Sequence, residues 1–143
     1  MIGINMKTFR ASNYCRAAME GVTLGMNYGL RRLAELGVKA KQIRATGGGA
    51  KSKLWRQIMA DVFNAEVVTL NTSEGAALGG AIQAACVHGN QTGKVSYEQL
   101  CEKLVTLDES TRCRPNAERA GLYAQQLEKQ MELTGRLNQT GWL

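Results

Sequence analysis

Apolar positions fall along the chain in two rhythms. Between Ser52 and Phe63 they recur at Leu54, Ile58 and Val62, the stripe of an amphipathic helix. Glu66–Leu70 (Glu-Val-Val-Thr-Leu) instead gathers β-branched residues at its centre and reads as a strand. A second strand is expected over Gln42–Thr46, running straight into Gly47-Gly48-Gly49. Ser12–Leu36 reads as a long helix with Ser12 as N-cap and Gly37 as stop signal. Inside it Ala17, Gly21, Gly25 and Gly29 recur at every fourth position. Each glycine costs a helix about 1 kcal/mol relative to alanine, so the pattern predicts another element packed closely on that face.

Further along, Asn71-Thr72-Ser73 is a cap for a helix over Glu74–His88, ended by Gly89-Asn90. No charge interrupts it from Gly75 to Val87, so burial nearly all round is expected. Tyr97–Leu104 reads as a short helix, and Val105–Arg114 is compatible with an extended segment. Pro115-Asn116 opens a last helix whose inner stripe is Ala120, Tyr123, Leu127, Met131 and Thr134. Strands alternating with helices imply an α/β layer with parallel strands and crossover helices. Two clear strands are few for a free-standing sheet.

Composition adds limits. With 44% hydrophobic and 21% charged residues the chain has the balance of a folded globular protein, not a disordered one. No apolar run reaches the length of a membrane span, and residues 1–6 lack the pattern of a secretory leader; a cytoplasmic setting is expected. The four cysteines (Cys15, Cys86, Cys101, Cys113) form no C-x-x-C pair, and His88 is the single histidine. Clustered metal ligands are therefore not in evidence, and free thiols in a reducing compartment are the simpler reading.

The net charge of +6 is concentrated in one segment. Arg31, Arg32, Lys39, Lys41, Arg44, Lys51, Lys53 and Arg56 face one acid, Glu35, so 31–56 carries +7 and the remainder −1. Such an excess suits nucleic acid or a small phosphorylated ligand. Trp55 is the only aromatic there, and no named nucleic-acid motif is present, which argues against the first.

The chemistry lies in Ile43–Trp55, where a strand ends, three glycines turn the chain and a helix begins. Glycines let backbone approach a ligand closely, and the N–H groups of a helix start favour an anion. Two familiar phosphate motifs fail. A P-loop would need glycine where Ala45 and Ala50 stand, and the dinucleotide fingerprint would need it at Ser52. On spacing alone, a ligand loop and a plain tight turn both remain open.

Residue identity goes further. Thr46–Asp61 (Thr-Gly-Gly-Gly-Ala-Lys-Ser-Lys-Leu-Trp-Arg-Gln-Ile-Met-Ala-Asp) resembles the adenosine motif of the FGGY carbohydrate kinases, and Glu74–Ala81 (Glu-Gly-Ala-Ala-Leu-Gly-Gly-Ala) continues the likeness. Upstream, Asn13–Gly21 is similar to that family's helix signature, and the tail opened by Pro115-Asn116 also resembles it. Asn13 and Cys15 depart from the pattern outside the nucleotide motif.

The resemblance implies a ribonuclease-H-like fold shared with actin-like ATPases, with ATP in a cleft between two domains. Residues 1–143 would be the helix-rich C-terminal portion of the second, nucleotide-side domain. Gly47, Gly48 and Gly49 would line the adenosine and α-phosphate of ATP, and Ser52, one turn into the helix, would face the adenine. The sugar-binding first domain, the phosphate hairpin, the catalytic aspartate and the ligands of Mg2+ would all lie outside this chain. The implied activity is that of an ATP-dependent pentulose kinase, inactive as this piece alone, with another sugar or polyol kinase as the alternative.

No catalytic residue is assigned here. Glu20, Asp61, Glu66 and Glu74 lack an acid/base partner in sequence, and His88 reads as a helix-end residue. Expected partners are ATP, a sugar reached through the first domain, and further copies of the chain through uncovered apolar surface. Nucleic-acid binding and a purely structural helix-rich module are the competing readings.

Overall fold

Val67 and Val68 are fully buried at the centre of a three-stranded sheet, and the rest of the chain is arranged around them. The computed structural model describes residues 3–91 and 96–142. The order is α1 (Ala11–Glu35), β1 (Gln42–Ala45), a 3-10 turn (Gly48–Lys51), α2 (Lys53–Phe63), β2 (Glu66–Leu70), α3 (Gly75–Gln91), α4 (Tyr97–Leu104), β3 (Leu107–Cys113) and α5 (Ala117–Gln139). β1 and β2 are parallel, with Gln42 opposite Glu66 and Ala45 opposite Thr69. Helix α2 makes the crossover that parallel neighbours require.

The segment read as extended is a true strand. β3 runs antiparallel to β2, with Val67 opposite Cys113, Leu70 opposite Leu107, and an irregular register between Val67 and Thr69. The sheet is therefore mixed, not wholly parallel. Polar and charged residues obscure β3 in the sequence because it is an edge strand, where charges blunt further pairing. Arg112 on it binds Glu66 of β2 and Glu109, each at 2.6 Å.

Helix α2 is the middle layer. One side joins Met59 and Ala60 to Ala45, Val67 and Cys113 of the sheet. The other joins Ile58 and Val62 to Leu24 of α1 and to Tyr123 and Leu127 of α5. Trp55 and Phe63 touch both clusters. Leu54, expected on the inner stripe, is half exposed. On α5, Tyr123 and Leu127 face inward as expected, whereas Met131 and Thr134 are exposed. Asn116 caps α5 by accepting from the Arg119 N–H at 3.0 Å.

Two helix boundaries are corrected, and the two faces expected to need cover are open within this chain among the described residues. Helix α1 begins at Ala11 with Arg10 in the cap position and no side-chain cap, so Ser12 lies within its first turn. Gly37 does end the helix: it has φ +88°, donates to Ala34 O, and is followed by Val38 donating to Leu33 O, a Schellman arrangement. The small-residue face of α1 is open, since a Cβ on Gly21, Gly25 or Gly29 would meet nothing within 4 Å among the described residues. Helix α3 runs on through Gly89-Asn90 to Gln91, and it is not buried all round. Ile82 is its one buried large hydrophobic among the described residues, while Ala76, Ala77, Ala81, Ala84, Ala85 and Val87 are exposed. The described residues pack chiefly α4 against it, which leaves most of its circumference uncovered.

Candidate functional site

The three glycines after β1 are glycine for different reasons. Gly47 has φ +85° and ψ −174°, a backbone region that side chains disfavour strongly. Gly49 meets Trp55: a Cβ there would lie 2.9 Å from ring carbons Cε3 and Cζ3. Gly48 is exposed, has no positive φ, and would place a Cβ in open space. Nothing among the described residues demands glycine at position 48.

The turn closes through Ala50 N–H donating to Gly47 O and Ser52 N–H donating to Gly49 O, both at 3.2 Å. Ser52 stands immediately before α2 as its N-cap, with Oγ accepting from Trp55 N–H at 3.3 Å. The sequence reading placed it a turn inside the helix; the intervening 3-10 turn moves it to the helix start. Its hydroxyl hydrogen remains available to a further acceptor. Gly47, Gly48, Gly49 and Ser52 thus share one corner between β1 and α2.

Beside this corner, at the carboxyl ends of β1 and β2, lies a crevice of about 430 Å³. Open α/β sheets commonly take ligands at such strand ends. Gly47 lines it together with Thr46, Lys51, Arg56, Thr72 and Ser73. Arg56 is buried; its Nη1 donates to Ala50 O at 2.7 Å and its Nε to Thr111 O at 3.2 Å. Thr111 Oγ1 in turn accepts from Thr69 N–H at 3.0 Å, at the irregular stretch of the β2–β3 pairing. The first residue of α3 also abuts the corner, since a Cβ on Gly75 would stand 2.9 Å from Thr46 Oγ1.

Sequence reasoning named Arg56 only within the basic segment and the glycine-turn motif and Gly75 only within Glu74–Ala81, and it missed Thr111. A single arginine between Trp55 and the apolar Ile58 and Met59 was the available signal for the first. Thr111 had none, because its contact depends on the strand register.

The acids considered for catalysis are held elsewhere by structural partners. The buried Asp61 carboxylate accepts from Arg119 Nε (2.7 Å), Asn116 N–H (2.8 Å) and Gln57 Nε2 (2.9 Å). Glu20 accepts from Arg16 Nε and from Tyr123 Oη, each at 2.7 Å. Burial, then the bond to Glu20, pushes the Tyr123 phenol above its ordinary value. Glu66 is bound by Arg112 and Arg114, and Glu74 accepts from Ser73 Oγ at 3.3 Å. His88 is exposed on α3. Among the described residues no group of His, Cys, Asp or Glu could hold a metal ion. The basic segment is partly neutralised, with Arg31 on Glu128 (2.6 Å) and Arg32 on Glu35 (2.8 Å), which weakens the case for a nucleic-acid face.

Comparison with known proteins gives this geometry a family. The C-terminal domain of the FGGY family of carbohydrate kinases matches residues 1–87. The chain belongs to that family. Xylulose kinase of Haemophilus influenzae is 43% identical to this FGGY chain over 129 residues, covering 90% of the chain and 25% of that protein. Gluconokinase of Bacillus licheniformis is 34% identical over 105 residues, covering 72% of the chain and 19% of that protein. Ligand-bound xylulose kinase from Lactobacillus acidophilus has the same fold over 96% of the chain and 26% of its own length, with TM-score 0.80 and 23% identity. The FGGY chain spans about a quarter of the length of the xylulose kinases it matches. The α/β, helix-rich segment expected from the sequence is the one observed. No helix among the described residues is long and apolar enough to cross a membrane.

Proposed function

We propose that this FGGY segment holds the adenosine end of ATP for a sugar kinase. The backbone of Gly47, Gly48 and Gly49 lies against adenosine and the α-phosphate, and Ser52 Oγ–H is directed to the adenine. The observation that carries this reading is Gly48. It is exposed and has no positive φ, a Cβ there would meet nothing within 4 Å among the described residues, and yet it is glycine. Alanine would stabilise a helical turn at such a place, so the absence of a side chain favours close approach by something outside the chain.

The parent reaction we infer is transfer of the γ-phosphoryl group of Mg-ATP to D-xylulose, giving ADP and D-xylulose 5-phosphate. Xylulose is preferred over gluconate by the higher identity and wider coverage of the xylulose kinase match. The sugar pocket, the catalytic base and the Mg2+ ligands are assigned to the part of the relatives this chain does not span, which makes it the C-terminal portion of the second domain. The segment's share is positioning, which dominates catalysis of phosphoryl transfer. A cytoplasmic location belongs to the same proposal.

The test is calorimetric titration of ATP into the 143-residue chain, with adenosine as competitor and a sugar-dependent ADP-release assay alongside. Weak binding with a dissociation constant of about 1 mM, displaced by adenosine and without sugar-dependent turnover, is expected. Absence of ATP binding contradicts the nucleotide assignment, and turnover contradicts the placement of the catalytic residues elsewhere.

A further inference from the structure

Cys86 and Cys101 lie where α3 packs on α4. Among the described residues of α3, those at least partly buried are Gly75, Leu78, Ile82, Cys86 and Gly89, spaced three or four apart on one face. The element packed against α3 is chiefly α4. On α4 itself Leu100 and Cys101 are the partly buried residues. Both thiols therefore belong to the facing sides of one helix–helix contact. Their levels along it also agree. Five residues separate Gln91 from Tyr97 in the sequence. Contacting helices with so short a connection form a hairpin, in which residues equally far from the connection face each other. Cys86 lies five residues before Gln91, and Cys101 four after Tyr97. Tyr97, one turn before Cys101, senses both. Its phenol is raised above the ordinary value first by the charge and hydrogen bonding of Cys101, then by burial, then by Cys86.

We propose that Cys86 and Cys101 are a reversible dithiol site, oxidised to an intramolecular disulfide by a low-molecular-weight disulfide of the glutathione class. One cysteine thiolate attacks a sulfur of oxidised glutathione, breaking its S–S bond and releasing one glutathione thiolate. The second cysteine thiolate attacks the protein sulfur of the mixed disulfide and releases the other. The cysteines lose two electrons, the reagent gains them, and the two thiol protons end on the released glutathiones. Cysteine also serves as a small buried hydrophobe, which is the place of Cys113 in the core beneath the sheet. Cys86 and Cys101 are only partly buried, and Tyr97 beside them is 50% exposed, so a small reagent can reach the pair. Gly89, one turn from Cys86 on the same face, adds no side chain to hold the helices apart. Close approach of that kind is what a disulfide requires. The site does not depend on the nucleotide reading. It would tie α4 to the helix whose first residue abuts the glycine corner.

The 143-residue chain is incubated with mixtures of reduced and oxidised glutathione, natively and in denaturant, then quenched with acid, alkylated and digested. Peptide masses show which sulfurs are joined. The native chain is expected to lose two hydrogens and to yield a Cys86–Cys101 cross-linked peptide, at a rate independent of protein concentration and reversed by dithiothreitol. Closing the bridge should raise the melting temperature by about 5 °C. Cys86→Ser and Cys101→Ser should each stop at a mixed disulfide with glutathione, whereas Cys15→Ser, changed on α1, should bridge as the wild type does. Glutathione retained on both cysteines without a bridge, or a bridge to Cys15, Cys113 or a second copy in its place, overturns the inference. Equal yields in native buffer and in denaturant would mean pairing by sequence proximity alone and overturn it as well. So would a bridge that leaves the melting temperature unchanged or lowers it, because the contact would then not hold the two sulfurs in reach. If a serine variant does not fold, the wild-type peptide map under the two conditions decides.

Discussion

Gly49 and Trp55 are in contact: a Cβ on the glycine would stand 2.9 Å from Cε3 and Cζ3 of the indole. The same indole donates Nε1–H to the buried Thr23 Oγ1 at 3.0 Å. One side chain thereby ties the glycine turn to α1. One residue earlier, Gly48 faces open space. Gly49→Ala should therefore lower stability by about 1–3 kcal/mol, the usual cost of overpacking. Gly48→Ala should change it by about 0.5 kcal/mol or less. Denaturant unfolding of the two variants checks the order, and a larger loss at Gly48 would contradict it.

Asp61 links α2 to the start of α5 by accepting from both Asn116 N–H and Arg119 Nε. Its side chain is 3% exposed, against 62% for Glu132 in the surface pair with Arg136. Asp61→Ala leaves the Asn116 N–H without its acceptor and is expected to cost about 2–3 kcal/mol. Arg136→Ala should cost about 0.5 kcal/mol or less. Similar losses from both, measured by chemical denaturation, would mean that Asp61 does not join these elements as described.

Tyr123 gives the fold a dependence on alkaline pH. Its phenol is raised above the ordinary value by burial and by its bond to Glu20. Stability from the neutral phenol is fully present below the unfolded value of about 10 and is lost as pH rises through the higher folded value. Between about pH 8 and pH 11 the wild type should lose more melting temperature than Tyr123→Phe. Equal losses would show that Tyr123 does not titrate differently in the two states.

The elements readable from local signals are those whose sequence pattern needs no distant partner. Glu66–Leu70 has its β-branched centre, Gly37 its stop position, and Pro115-Asn116 its helix opening, and each appears where the sequence placed it. β3 escaped a firm reading because edge charges such as Glu109 and Arg112 hide the strand pattern. The glycine and alanine runs of α1 and α3 signal a preference for close contact, but whether a neighbour lies there is a tertiary fact. At the site, the glycine turn was legible as a strand-to-helix corner. Arg56 was not, because Thr111 O reaches it only through the irregular β2–β3 register.

Those open faces carry their own consequence. Val87 of α3 and Val22 and Met26 of α1 are about half exposed, and the alanines of α3 add to the apolar surface. Surface of this kind favours association, so the 143-residue chain is expected to bind a hydrophobic dye and to sediment with a concentration-dependent mass. A monomer at all concentrations with no dye binding would count against it.

The central claim is that ATP approaches the glycine turn at Gly48, and calorimetric titration of ATP into the wild-type chain and Gly48→Val tests it most directly. A Cβ at this position would meet nothing within 4 Å among the described residues, so melting curves are expected to nearly coincide. The proposed nucleotide site predicts that ATP affinity falls about tenfold or more, equivalent to about 1.4 kcal/mol, since the valine would stand where that proposal puts the ligand. Equal ATP affinities in two equally folded proteins would contradict the nucleotide assignment.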